Sequence, residues 1–186
     1  MLDQRLVCLY LDDSGQQSHG RFFVVAGLAI WRDRAAVSQA LRQAEADSGK
    51  HQRDWSKTTE SRRVAYLRQA CEEPTLRGQI FYHIHRNHSP SQQMGLRGDG
   101  VQAAIAAFAA KNQRAIYYEG LTRSNQDILR FDLRRRGLKC EMRNARFDKH
   151  AEVRLADSLA AMICKVRFGA DGANYTSLLC DWFVEL

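Results

Sequence analysis

The sequence predicts a mixed α/β domain: a sheet of five strands flanked by helices, with a helix pair inserted between the second and third strands. Three observations carry that expectation. "LVCLYL" (6–11) and "RFFVVAGLAIW" (21–31) are apolar almost throughout, as strands covered on both faces are. Apolar residues recur at helical spacing in the stretches between the later strand candidates. The order β-β-αα-β-α-β-α-β-α, a hairpin followed by alternation, demands a mixed sheet with helices on its faces. With 186 residues, 45% of them hydrophobic and only two prolines, residues 1–186 are expected to form one domain with a sizeable core.

Each element has its own signal. The short "DDSGQQSHG" connection makes the first two strands an antiparallel hairpin. Asp33 is placed to cap a helix in which Val37, Ala40, Leu41 and Ala44 follow the i, i+3, i+4, i+7 pattern, with Gly49 beyond its end. "DWSKTTESRRVAYLRQACEE" (54–73) reads as a second helix with Val64, Leu67 and Cys71 inward. "GQIFYHIHR" (78–86) is the third strand. A glycine-rich loop then leads to a helix with Val101, Ala104, Ile105 and Phe108 on one face. "RAIYYEG" (114–120) is the fourth strand, and "SNQD" (124–127) is a capping box opening a helix that stops at Gly137. "LKCEMRNA" (138–145) is the fifth strand. "AEVRLADSLAAMICKVRF" (151–168) is the longest helical pattern, closed by Gly169.

Composition narrows the function classes. The formal charge is +7, and 22 of the 28 basic residues are arginine. Guanidinium forks match phosphate geometry and stack on bases, so this bias favours nucleic acid as partner. A genome that prefers arginine codons produces the same composition. The five cysteines, at 8, 71, 140, 164 and 180, form no C-x-x-C pair and sit mostly in apolar stretches, as thiols of a reducing compartment do. Asp3 and Arg5 precede only six apolar residues, unlike a signal peptide. No stretch approaches the roughly 20 apolar residues that span a bilayer. A cytoplasmic protein with no membrane partner is expected.

The informative acids lie within apolar elements. Asp12 ends the first strand on the face of Cys8 and Tyr10. Glu119 ends "AIYYE" in phase with Ala115 and Tyr117. Asp157 shares a helix face with Val153, Ala160, Ala161 and Cys164, where an acid is costly unless a cation meets it. In open α/β sheets ligands gather at the carboxyl ends of the strands. Strands one and four running parallel side by side would place Asp12 and Glu119 at one edge, and the last helix would bring Asp157 across it. Such hard oxygen ligands suit Mg²⁺ or Mn²⁺. Two ions about 4 Å apart would activate water and stabilise the leaving oxygen in phosphodiester cleavage. Each acid also has a plain structural use: Asp12 and Asp13 as turn residues, Glu119 as an exposed strand end, Asp157 paired with Arg154 or Lys165.

Two rival motifs fail. "DSG" after an apolar strand is the aspartic-protease signature, but that chemistry needs two such loops in an all-β frame. A dehalogenase-type phosphatase needs Asp-x-Asp, and here Ser14 stands two places after Asp12.

The opening strand with its acid-Ser-Gly turn, the apolar second strand, "WSK" (55–57) and "RLADSLAAMICK" (154–165) together resemble the domain of unknown function 3800 family, found mainly in bacteria and phages. The opening of that family usually reads Asp-Glu-Ser-Gly, and its late helix carries Ala-Asp followed by small apolar residues. The resemblance covers nearly the whole chain on short motifs. It implies a ribonuclease-H-like fold and a metal-dependent, nuclease-like site. "DDSG" then supplies Asp12 as first ligand and "LADSL" supplies Asp157 from the late helix. Glu119 stands where ribonuclease-H-like enzymes carry the acid of the fourth strand. Asp13 departs from the usual Glu, and Glu119 from the commoner Asp, which alters the geometry of a second metal position.

The expectation is therefore a divalent-metal-dependent nuclease in which Asp12, Glu119 and Asp157 are the catalytic metal ligands. Asp13 and Ser14 are candidate supporting groups, with Asp13 also an alternate ligand. Lys57, Arg134, Arg135 and Arg136 are candidate nucleic-acid contacts, the three arginines only if they lie beside the acids. Trp55 is a base-stacking candidate whose commoner use is in the core. His83, His85 and His88 lack the spacing of a zinc site, and His88 or His150 is a candidate for proton transfer to the leaving group. The alternatives are a non-catalytic nucleic-acid-binding module on the same fold and a small-molecule phosphohydrolase using the same acids.

Overall fold

A computed structural model describes residues 6–16, 21–109, 113–169, 173–178 and 183–186. The strands are β1 (Leu6–Ser14), β2 (Phe22–Ile30), β3 (Ile80–Arg86), β4 (Gln113–Tyr118), β5 (Glu141–Asn144) and β6 (Val184–Glu185). The helices are α1 (Arg34–Asp47), α2 (Glu60–Glu72), α3 (Gln93–Phe108), α4 (Arg123–Arg135), α5 (Ala151–Phe168) and the single turn α6 (Ala173–Thr176).

The sheet order is β5-β4-β1-β2-β3-β6. β2 runs antiparallel to both β1 and β3, whereas β1, β4 and β5 are parallel to one another. That order and those directions make the fold ribonuclease-H-like. One strand goes beyond the five expected: β6 pairs with the edge strand β3 through Phe81 and Tyr82. Two residues are too short to carry any periodicity.

Period-two alternation divides the core into two layers. Tyr10, Ala26, Tyr82 and Tyr117 pack beneath α1, α2 and α5. Leu9, Leu11, Val25 and Ile116 pack beneath α3 and α4 on the opposite face. The inserted pair α1 and α2 lies between β2 and β3 in sequence, as expected.

Four local expectations need correction. The glycine-rich "GLRGDG" (95–100) is not a loop but lies inside α3. Gly100 is there for closeness, because a Cβ would stand 2.8 Å from the Val25 side chain. Asp33 precedes α1 in a left-handed conformation (φ 46°), and its side chain makes no capping bond. The cap of α4 is Thr122, whose hydroxyl accepts from the Asn125 amide, in place of the "SNQD" box. The stretch 54–73 is not one helix: a tight turn over Trp55–Lys57 leads to extended Thr58 and Thr59 before α2 begins. Paired β-branched residues favour that extended backbone.

Among the described residues Cys8, Cys71, Cys140 and Cys164 form no disulfide, and Cys180 lies outside them. Among the described residues no helix is long and apolar enough to cross a membrane.

Candidate functional site

β1 is apolar up to Leu11 and then carries, before Ser14, two acids that its pleat sends to opposite faces. Asp12 points into the α5 layer. Its neighbour across the parallel ladder follows from register: Leu11 pairs with Tyr118, and the Glu119 amide donates to the Leu11 carbonyl at 3.0 Å. Glu119 therefore lies beside Asp12 at the carboxyl edge of the sheet. Asp157 comes from α5, whose fully buried Ala156 and Ala160 let the helix sit close over β1 and β2. The Trp55 amide donates to Asp157 Oδ2 at 3.2 Å and orients it.

The three half-buried acids act on one another electrostatically. Burial pushes Asp12 well above the usual carboxylate range, and the charges of Asp13, Asp157 and Glu119 push it further. The Asp13 amide, 2.7 Å from Asp12 Oδ1, works against that rise. Burial, then Asp157 and Asp54, raise Glu119 to about 8, with Arg154 and Lys50 opposing. Asp157 is raised by burial and by Asp54, against the Trp55 amide, Lys50 and Arg63. Glu119 Oε2 is buried with no hydrogen-bond partner among the described residues.

These donors fit a hard divalent cation: all are carboxylate oxygens, and Glu119 holds a buried one with no hydrogen-bond partner among the described residues. Among the described residues no three His, Cys, Asp or Glu side chains form a ready-made metal cage. A cation that keeps several of its waters does not require one, since water can stand between ion and carboxylate.

Two further residues border the acids and were not legible in the sequence. Asp54 raises both Glu119 and Asp157 from the loop between α1 and α2. Lys50 is fully buried, with Nζ 2.9 Å from the Arg53 carbonyl, 4.0 Å from Glu45 Oε1 and 4.7 Å over the Tyr66 ring. Burial lowers its pKa, while Glu45 and Asp157 resist that fall. Beside it Arg154 clamps Glu45 through two bonds of 2.5 and 2.7 Å and donates to the Phe147 carbonyl. Both lysine and acid sit in or near polar stretches with no periodicity to single them out. Adjacency of Asp54 to "WSK" was the one available signal.

Of the other expected site residues, Trp55 reaches the acids through its amide and Lys57 through Asp54, and the rest point elsewhere. The Asp13 side chain enters the α3 layer, where Arg97 grips it bidentately at 2.6 and 3.0 Å, while its amide supports Asp12. Ser14 stands beside Cys164, whose thiol burial raises to about 11. Trp55 is buried against Tyr175 and takes the core role. Lys57 turns to solvent and pairs with Asp54 Oδ2 at 2.6 Å. Arg134, Arg135 and Arg136 close α4 on the layer away from the acids, with Arg136 bound to Asp99 and Asp132. His83 and His85 point to the α3 side, and His88 packs on Phe23 there. His150 precedes α5 and meets the Tyr117 ring edge-on at 5.2 Å.

No family model matches the chain, and no curated protein matches it. Among solved structures, a chain from the PCNA:RNase HII complex of Archaeoglobus fulgidus superposes with a TM-score of 0.49 at 16% identity. The superposition covers 93% of this chain and 82% of that one. Strand order and direction, not this loose likeness, define the fold.

Proposed function

We propose that the chain is a nuclease hydrolysing phosphodiester bonds of nucleic acid with Mg²⁺ or Mn²⁺ held by Asp12, Glu119 and Asp157. Kinship with the domain of unknown function 3800 proteins, whose motifs it resembles, is part of the same proposal, as is a cytoplasmic setting suited to its free thiols. One observation carries it. Among the described residues Glu119 Oε2 is buried without a hydrogen-bond partner, and Asp157 and Asp54 already repel its charge. An unsatisfied buried oxygen costs about 1–3 kcal/mol, and like charges add to that cost. A divalent cation removes both penalties.

Held by Asp12, Glu119 and Asp157, such a cation would supply neutralisation of phosphate charge and activation of water near neutral pH. The chain supplies the frame. The β1–β4 ladder holds Asp12 and Glu119 on adjacent strands, and the Trp55 amide fixes Asp157. Lys50 and Arg154 lower the proton affinity of Glu119, which helps it present a charged oxygen.

Calorimetric titration with Mn²⁺ and cleavage of labelled RNA, DNA and hybrid oligonucleotides test this together. Wild type should bind Mn²⁺ and cut one of these polymers. EDTA or Asp157→Asn should stop cutting while the circular dichroism spectrum stays native. Absence of Mn²⁺ binding, or cleavage that survives EDTA, defeats the proposal. Cleavage of free nucleotides alone would select the phosphohydrolase instead.

A further inference from the structure

The arginines expected to meet substrate lie on the wrong layer, yet others flank the acids. On the α5 side Tyr10 and Tyr117 stack at 4.6 Å with ring planes 13° apart. The Arg34 guanidinium lies 5.4 and 5.2 Å from their centroids, and Arg143 donates to the Tyr117 hydroxyl at 3.2 Å. Arg34 has no carboxylate partner among the described residues. The Arg143–Glu141 pair is exposed enough to exchange for phosphate at little cost. A guanidinium docked on an aromatic ring keeps outward donors, the geometry that receives a phosphate.

Register relates this cluster to the acids. Arg143 pairs with Tyr117, two residues before Glu119 on the adjoining strand. That is about 7 Å along β4 and about 5 Å across the sheet. On the other side of the same corner is a polar cleft of about 390 Å³ lined by Leu121, Arg123, Gln126, Asp127, Arg130 and Asn144. Asn144 is the register partner of Tyr118, so the cleft wall begins one strand from Glu119. Arg123, at the start of α4, also has no carboxylate partner among the described residues. Cations thus stand on both faces of the β4–β5 corner, next to the strand end that carries Glu119. A single small phosphate would need one of these groups; a strand of phosphates engages all three.

We propose that Arg34, Arg143 and Arg123 form a phosphate-binding track around the β4–β5 corner that lays a nucleic-acid strand across the Asp12–Glu119–Asp157 pocket. The track rests on the nuclease proposal for its purpose, but its binding can be read without cleavage. Fluorescence anisotropy with labelled single-stranded RNA and DNA of about 12 nucleotides, in EDTA, isolates the arginine contribution. Removing one guanidinium–phosphate pair should reduce the salt slope by about 0.7 and weaken binding about fivefold at 0.1 M salt, the release of one counterion.

Arg143→Gln and Arg123→Gln should each show that weakening, and Arg143→Lys should keep the slope. Arg134→Gln with Arg135→Gln, on the opposite layer at the end of α4 remote from Arg123, should leave affinity and slope unchanged. Melting temperatures confirm that each variant is folded. The track is overturned if wild type does not bind, if the two track variants bind like wild type, or if the opposite-layer control weakens binding as much. A chain that binds as expected yet never cleaves would sink the nuclease proposal and leave the track standing. Loss of the track with Mn²⁺-dependent cleavage intact would do the reverse.

Discussion

Replacing Glu119 by Gln should stabilise the metal-free protein, an unusual result for a half-buried site residue. The carboxyl rises from 4.5 to about 8, chiefly by burial and then by Asp157 and Asp54. In the unfolded chain it titrates near 4.5. Between the two values the folded state holds a proton that the unfolded state has released. The stability contributed by Glu119 is therefore fully present below pH 4.5 and is lost as pH rises through 8. A sealed group with that rise would lose roughly 5 kcal/mol. Water reaches this one, and screening brings the figure to about 2 kcal/mol. For a chain of this size that is a rise of about 4–8 °C in melting temperature for Glu119→Gln at pH 9, shrinking toward zero below pH 4.5. Thermal melts of both proteins across pH 4–9 in EDTA measure the difference, in which groups remote from Glu119 cancel and the relief of Asp12 adds with the same sign. Saturating Mn²⁺ should reverse the order, because a ligand at about 100 times its Kd adds roughly 2.7 kcal/mol to wild type alone. A variant less stable than wild type at pH 9 in EDTA, or a difference independent of pH, would refute the account.

Three other perturbations have clear signs. Arg154→Met leaves Glu45 buried with Lys50, 4.0 Å away, as its remaining cation, and should cost about 3 kcal/mol in urea unfolding; a loss under about 1 kcal/mol would mean the pair is not sealed. Gly100→Ala drives a methyl to 2.8 Å from Val25 and should destabilise by about 1–3 kcal/mol, whereas Gly95→Ala, with nothing within 4 Å, should gain about 0.5 kcal/mol; equal effects would contradict the packing of α3. Asp13→Asn removes the charge that Arg97 grips and should cost about 2 kcal/mol while leaving Mn²⁺ stoichiometry unchanged by calorimetry; lost Mn²⁺ binding would return Asp13 to the site.

The elements legible in the sequence are those with a strong single period. β1 and β2 are apolar at consecutive positions, and α5 matches its expected bounds because helical periodicity runs unbroken to Gly169. "GLRGDG" misleads because glycine serves both loops and close helix packing, and only the approach to Val25 distinguishes the two uses. Asp12, Glu119 and Asp157 stand out because each interrupts an apolar run. Lys50 and Asp54 interrupt nothing. Arg134–Arg136 stand out as a run, but a helix's own periodicity does not say which face of a sheet it will cover. Arg34 and Arg143 are separated by more than a hundred residues, and only the β4–β5 register and the Tyr10–Tyr117 stack unite them.

The adjacent acids at the end of β1 show why the two sides of the sheet require different accounts. Two neighbouring carboxylates at a buried strand end are tolerable because the pleat separates them, one to each layer. Asp13 meets a cation of the chain itself, gripped by both arms of Arg97. Asp12 meets Glu119 and Asp157, more negative charge. The cations nearest that pocket are already engaged, Lys50 by the Arg53 carbonyl and Arg154 by Glu45 and the Phe147 carbonyl. The chain thus neutralises one acid of the pair internally and leaves the other in a pocket of repelling oxygens. Such a pocket costs stability unless its acids take up protons or a cation from solution enters it. That asymmetry between two consecutive residues is why the cation proposed above belongs on the α5 side of the sheet.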